Sequence, residues 1–212
     1  MDNIRINGVP IKSLIFDVGG VLLGYRWREL MMETGLSSEE CGKVAELIFR
    51  DPLWTELDRG YFPEEDVCGF YCDKYPEYTG VITHFLTNIR RMPVDRPAVW
   101  DRLGKLREIG YRTYILSNYP EKLYDIHTEG RPFLHMMDGS VVSWTIHEIK
   151  PEPGIYRHLL DTYDLDPSEC LFFDDRADNT QGARDLGINA ITVTSEEYLL
   201  GILDTIIELS GQ

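Results

Sequence analysis

No stretch of the chain approaches the ~18 consecutive apolar residues that a membrane-spanning helix needs, which excludes a helical membrane anchor within it. Cysteine is sparse. The four residues, Cys41, Cys68, Cys72 and Cys170, follow no zinc-binding spacing. Cys68 and Cys72 stand four apart, as a metal pair on a helix would, but among aromatics they read as two half-buried thiols. The opening segment MDNIRINGVPIKSLIF lacks a basic stretch followed by an apolar one, so it does not read as a secretory leader. Free thiols without a leader lead to the expectation of a cytoplasmic protein. Positive charge is also scarce. Lys and Arg number 21 against 36 Asp and Glu, for a formal net charge of -15. So acidic a chain repels nucleic acid and anionic lipid and excludes them as expected partners. It also repels anionic small molecules at long range, so a phosphorylated ligand needs local cations.

What is present is ordinary for a folded enzyme-sized protein. The 212 residues are 43% hydrophobic and 27% charged, enough for an α/β core with a small accessory domain. IKSLIFDV (11–18) is an apolar run ending in an acid and two glycines, the pattern of a buried parallel strand meeting a tight loop. From Tyr25 to about Met92 apolar residues recur at helical spacing, and Ser37 or Ser38 before Glu39–Glu40 predicts a helix start. After Pro93, helices and strands alternate. Helices are predicted over 95–109, 120–129, 177–186 and 196–209, and another from the prolines of PEPGIYRHLLDTYDL. Strands are predicted at 111–116, 140–145, 170–175 and 188–193. That alternation implies a parallel sheet covered on both faces, and the helical block after the first strand implies a second, smaller domain.

Ligands bind an open parallel sheet at the carboxyl ends of its strands. Asp17, Ser117–Asn118, Lys150 and Asp174–Asp175 all stand at or near such ends. Each alone is explained by turn chemistry, but together they form a set suited to phosphoryl transfer. A carboxylate serves as nucleophile. A divalent cation held by carboxylates offsets anion–anion repulsion, and magnesium suits oxygen ligands. Ser117, Asn118 and the N–H groups of Gly19–Gly20 are donors for phosphoryl oxygens.

IFDVGGVL, ILSN, IKPEPGIY and FFDDRADNTQGARDLG, in that order, resemble the four motifs of the haloacid dehalogenase-like hydrolases. Within them the pattern resembles the branch of glucose-1-phosphate phosphatases and the N-terminal phosphatase domain of epoxide hydrolase. The resemblance implies an α/β fold, a Rossmann-like parallel sheet core over residues 1–23 and 94–212 with a helical type-1 cap over 24–93. It implies a magnesium-dependent phosphatase acting on a small phosphorylated metabolite, in the first instance a sugar phosphate. By position, Asp17 is the nucleophile and a metal ligand, and Gly19 offers its carbonyl to Mg2+. Ser117 and Asn118 hold the phosphoryl group, and Lys150 neutralises charge. Asp175 completes the metal site, with Asp174 and Asn179 in support.

One departure stands out. Most of the family's phosphatases carry a second aspartate two residues after the nucleophile, which protonates the leaving group and activates water, whereas the glucose-1-phosphate branch resembles this chain in having glycine there. Here Gly19 takes that place. Its loss removes an acid–base contribution on the order of 10²–10⁴ in rate, favours good leaving groups, and leaves water, His147 or a cap residue as proton sources. Two rivals follow: a metal-independent dehalogenase, disfavoured by the repulsion of an unneutralised Asp174–Asp175 pair, and a catalytically weak member acting as a binding or regulatory protein. His84, His127 and His135 read as surface or packing residues. Trp27, Trp54 and Tyr61 suit either cap packing or a sugar pocket. No motif specifies the oligomeric state.

Overall fold

The computed structural model describes residues 3–210. Residues 1–2 and 211–212, the outer limits of the expected core, lie outside the described residues. A hairpin of β1 (Arg5–Ile6) and β2 (Val9–Pro10) precedes β3 (Ser13–Phe16) and β4 (Leu23–Tyr25). Five helices follow: α1 (Trp27–Met32), α2 (Ser38–Phe49), α3 (Pro52–Asp58), α4 (Val67–Lys74) and α5 (Thr79–Thr87). The alternating part comprises β5 (Pro93–Asp95), α6 (Pro97–Glu108), β6 (Arg112–Ser117), α7 (Glu121–Thr128), β7 (Gly139–Val142), α8 (Ser143–Ile146), α9 (Pro153–Thr162), β8 (Cys170–Asp174), α10 (Ala177–Arg184), β9 (Asn189–Thr192) and α11 (Glu196–Ser210).

The five-stranded sheet runs β7-β6-β3-β8-β9 and is parallel throughout. β3 is central, with β6 on one side and β8 on the other, so the chain reverses its winding direction at β3. Loops leaving these three strands diverge there and open a crevice. β3 and β8 are buried along their whole length. That burial explains their unbroken apolar runs, since helices cover both faces of a parallel sheet. Phe16 and Phe173 stack across neighbouring strands at 5.0 Å. One apolar cluster lies under α6 and α11 and includes Leu14, Phe16, Leu103 and Leu203. The opposite face holds Ile15, Tyr156, Leu159 and Phe172.

Residues 26–92 contain helices and no strand. Ser37 caps α2 through a reciprocal box: its Oγ accepts from the Glu40 N–H at 3.3 Å, and the Glu40 carboxylate accepts from the Ser37 N–H at 2.9 Å. Asp51 caps α3 by accepting from the Leu53 N–H at 2.9 Å, with Pro52 in the first helical position. These helices enclose their own apolar cluster, which includes Leu30, Val44, Ile48, Tyr71 and Phe85. The block leaves and re-enters through β4 and β5, a short antiparallel pair matching Leu23 with Asp95 and Tyr25 with Pro93. Neither strand was legible in the sequence, because three residues are too few to show a period.

Candidate active site

Asp17 follows β3 directly and its N–H donates to Phe173 O at 2.9 Å, which sets it at the mouth of the sheet. Its Oδ1 accepts three bonds: from the Val18 N–H at 2.7 Å, from Ser117 Oγ at 2.6 Å and from Lys150 Nζ at 2.9 Å. No partner from the described residues reaches Oδ2, so one carboxylate oxygen is held and the other is left for the cavity.

Lys150 has a fully buried side chain, and its ammonium donates to Asp17, to Asp174 Oδ2 at 2.6 Å and to Leu116 O at 2.9 Å. Burial works against its charge, but Asp17 and Asp174 outweigh burial and hold its pKa above the ordinary lysine value. All three ammonium protons are committed. Asp174, also fully buried, accepts from Lys150, from the Arg176 N–H at 2.8 Å and from Asn179 Nδ2 at 3.0 and 3.1 Å. It orients its neighbours and has little capacity left for a ligand. Asn118 pairs reciprocally with the Lys150 backbone: Nδ2 donates to Lys150 O at 2.9 Å and Oδ1 accepts from Lys150 N–H at 2.8 Å. Its side chain therefore fixes the lysine loop, and only its second amide proton remains for a ligand.

Ligand oxygens of Asp17, Asp174 and Asp175 lie within 4.8 Å of one another. Burial, despite the opposing charge of Lys150, raises Asp17 to about 7, and the charges of Asp174 and Asp175 add to the rise. Partial desolvation in the cavity, then the charge of Asp174, raises Asp175 to about 6, although its side chain stays open to solvent. Such mutual repulsion is what a bound cation relieves, and an all-oxygen set fits a hard divalent ion.

Gly20 has φ +69°, and a Cβ there would collide with the Asp175 carboxylate, so glycine lets Asp175 stand against the loop. Arg96 braces the loop by donating to Gly20 O at 2.6 Å and Val21 O at 3.0 Å. The space beyond Gly19 is filled: a Cβ there would meet Tyr25 Cε2 and Oη at 2.7 Å. Tyr25 Oη donates to Tyr119 Oη at 2.7 Å, and Tyr119 hydrogen-bonds His127 Nδ1 at 2.7 Å. His127 Nε2 bonds Ile89 O at 2.9 Å. A carbonyl only accepts, so Nε2 carries the proton, Nδ1 accepts from Tyr119, and Tyr119 accepts from Tyr25. Burial keeps His127 neutral, with its pKa lowered to about 4. An aspartate at position 19 must displace this buried chain. Gly19→Asp alone is therefore expected to lose ~1–3 kcal/mol of stability by overpacking, measured by urea denaturation. Adding Tyr25→Ala should recover part of it, and no recovery would show that Tyr25 is not the obstacle.

The cavity holds about 440 Å³ and is lined by Asp17, Gly19, Asn118, Lys150, Asp175 and Asn179 from the core. Trp27, Phe49, Trp54 and Asp58 line it from the helical block. Trp27 and Trp54 thus reach the cavity. Tyr61 does not line it but stacks on His147 at 4.7 Å. His147, expected as a proton source, does not line it either, because its Nδ1 bonds Arg59 O at 2.7 Å. His127 is buried, while His84 pairs with Glu33 at 3.0 Å. Tyr25, Asp58 and Arg176 line the cavity without a clear signal in the sequence. Only Arg176, next to the acid pair, was open to notice.

No helix among the described residues is long and apolar enough to cross a membrane. Residues 11–187 match the haloacid dehalogenase-like hydrolase family. The chain is 26% identical to a sesquiterpene phosphatase of Aspergillus oryzae, over 86% of this chain and 90% of that one. It is 24% identical to (S)-2-haloacid dehalogenase 1 of Pseudomonas sp., over 87% and 85%. It is 29% identical to the mouse bifunctional epoxide hydrolase 2, over 72% of this chain but only 28% of that longer protein. A family enzyme from Bacteroides thetaiotaomicron, solved with magnesium and inorganic phosphate, superposes with a TM-score of 0.63 at 25% identity, covering 86% of this chain and 93% of that one. The match spans four of the five strands of the parallel sheet, β3, β6, β7 and β8, together with Asp17, Ser117, Lys150 and Asp174–Asp175, and the chain belongs to the haloacid dehalogenase-like hydrolases.

Proposed function

We propose that the protein is a magnesium-dependent phosphatase of small phosphorylated metabolites, sugar phosphates in the first instance, that works through an aspartyl phosphate at Asp17. The observation that carries this reading is the state of Asp17: Oδ1 is held by Ser117, Lys150 and the Val18 N–H, while Oδ2 is unpartnered beside the Asp174–Asp175 pair. A dehalogenase working without metal gains only repulsion from that pair. Asp17, the Gly19 carbonyl and Asp175 would hold Mg2+, which supplies positive charge to the phosphoryl oxygens. The N–H groups of the Gly19–Gly20 loop and the free proton of Asn118 would be the donors to a phosphoryl group, while the single hydroxyl proton of Ser117 goes to Asp17 Oδ1 and orients the nucleophile. Residues 24–93 act as a cap over the core formed by 1–23 and 94–212. Trp27, Phe49 and Trp54 give the organic part of the substrate an aromatic wall.

The direct test is hydrolysis of p-nitrophenyl phosphate and then of a set of sugar phosphates, with and without magnesium. Wild type should turn over in magnesium and lose activity in EDTA. Dehalogenation of 2-chloropropionate without metal, and no phosphate release, would reverse the assignment.

The metal carries its own prediction. Ligating carboxylates must be deprotonated, and Asp17 and Asp175 titrate at about 7 and about 6 in the metal-free protein. Magnesium affinity should therefore climb between pH 5.5 and pH 8, with protons released on binding near pH 6.5. Calorimetry in two buffers of different ionisation enthalpy measures both. Asp175→Ala should weaken binding at least ~10-fold; equal affinity in mutant and wild type would remove Asp175 from the metal site.

A further inference from the structure

We propose that Asp58, from the helical block, gives the proton to the leaving oxygen and then activates water, replacing the side chain that Gly19 lacks. This inference rests on the phosphatase reading above.

The ionisable groups lining the cavity are Asp17, Tyr25, Asp58, Tyr119, Lys150, Asp175 and Arg176. Asp17 and Asp175 are assigned to the nucleophile and the metal. The protons of Lys150 are all committed. Tyr25 and Tyr119 pass theirs away from the cavity, toward His127 and Ile89 O. Arg176 does not release a proton at any useful pH. Asp58 alone remains. Its carboxylate has no hydrogen-bond partner from the described residues, and it lines the same cavity as Asp17, coming from α3 of the helical block where Asp17 comes from the sheet.

Asp58 is also held in place. It ends α3, and the segment after it is fastened to the loop leading to Lys150. Ser143 Oγ donates to Asp58 O. Arg59 donates to His147 O at 3.0 Å and pairs with Glu152, His147 donates back to Arg59 O at 2.7 Å, and Tyr61 stacks on the His147 ring. A few residues on, the Glu64 carboxylate accepts from the Lys122 and Leu123 N–H groups at the start of α7, at 2.7 and 3.2 Å. These contacts hold the main chain of Asp58 and leave its carboxyl free. Burial, then the charge of Asp17, raises that carboxyl to about 8, against the opposing charges of Lys150 and Arg176. It is therefore protonated at neutral pH and close to the value at which a general acid works best.

The steps balance. Asp17 Oδ2 forms a bond to phosphorus while the bond from phosphorus to the leaving oxygen breaks, and that oxygen takes the Asp58 proton. The Asp58 carboxylate then takes a proton from water. The water oxygen bonds to phosphorus, the bond from phosphorus to Asp17 breaks, and inorganic phosphate departs with Asp58 protonated again.

The test uses Asp58→Asn in the full chain with magnesium. Release of p-nitrophenolate is followed by stopped flow, and phosphoenzyme by intact mass spectrometry. Nitrophenolate needs no proton to leave, so the burst from p-nitrophenyl phosphate should stay within about twofold of wild type, which also shows that the site is folded. Steady-state turnover should fall ~10²–10⁴-fold as phosphoenzyme accumulates. Phosphorylation by glycerol 2-phosphate, whose alkoxide needs the proton, should fall by a similar factor. Asp58→Ser should repeat the pattern. A burst slowed as strongly as phosphorylation by glycerol 2-phosphate, or no effect on any step, overturns the role of Asp58 and leaves the phosphatase reading standing. A wild type that forms no phosphoenzyme from either ester overturns both.

Discussion

Asp17→Asn should abolish turnover, by about 10⁴-fold or more as expected for loss of a nucleophile, without unfolding the protein. Asparagine keeps the volume of aspartate and an oxygen to accept from Ser117 and the Val18 N–H. The stability change has a definite sign. The folded-state pKa of Asp17, about 7, lies above its value of 3.8 in the unfolded chain. The folded protein therefore holds this proton more tightly than the unfolded chain does. Its ionisation costs no stability below pH 3.8, an increasing amount as pH rises toward 7, and the full amount above that. In metal-free buffer at pH 8 the variant should be at least as stable as wild type, and this relative gain should fade toward pH 5. Urea denaturation at both pH values, beside a phosphatase assay, separates the two effects. A variant that lost activity only because it unfolded would remove the case for Asp17 as nucleophile.

Lys150→Met should instead damage both stability and activity. Lys150 is the cation that Asp17 and Asp174 share in a dry site, and Asp174 is completely buried. Removing one partner of such a group strands the remaining charges, at a cost of about 3–5 kcal/mol. The same change in an exposed pair such as Lys43–Glu39 should cost less than ~1 kcal/mol. The loss should be smaller at pH 5.5 than at pH 8, because Asp17 takes up a proton there and the stranded charge falls. Magnesium at pH 8 should restore part of the stability and little of the activity, since the Asp17 carboxylate is no longer oriented. An equal loss of stability at both pH values would show that Lys150 supports the fold through packing alone.

The core of this site was legible because its residues are tied to strand ends. An apolar run that stops at an acid locates Asp17, and another locates Asp174–Asp175, since a buried parallel strand cannot hold a charge until it leaves the sheet. Ser117 follows the same rule, and the strand–helix alternation from α6 onward gave parallel topology. What each side chain then does was not legible. Asn118 was expected to hold a phosphoryl group, yet its amide is largely used on the Lys150 backbone. His147 lies three residues from Lys150 in sequence but is drawn away to Arg59.

Gly19 marks the division most clearly. From the sequence alone, its missing side chain is a missing acid, and that much follows from residue type. That the vacated volume belongs to Tyr25, and that Asp58 lines the same cavity as Asp17, depends on how the helical block sits on the sheet. Tyr25 is eight residues from Asp17 and Asp58 is forty-one, and no periodicity relates them. Local pattern determines which residues leave the core at a strand end, because burial and backbone period act over a few residues. Contacts between separately packed apolar clusters depend on long-range docking, here through Ser143, His147 and Glu64. The placing of Asp17 beside Lys150 and the Asp174–Asp175 pair was thus determined by the sequence, while the entry of Asp58 into the same cavity was decided only by the tertiary structure.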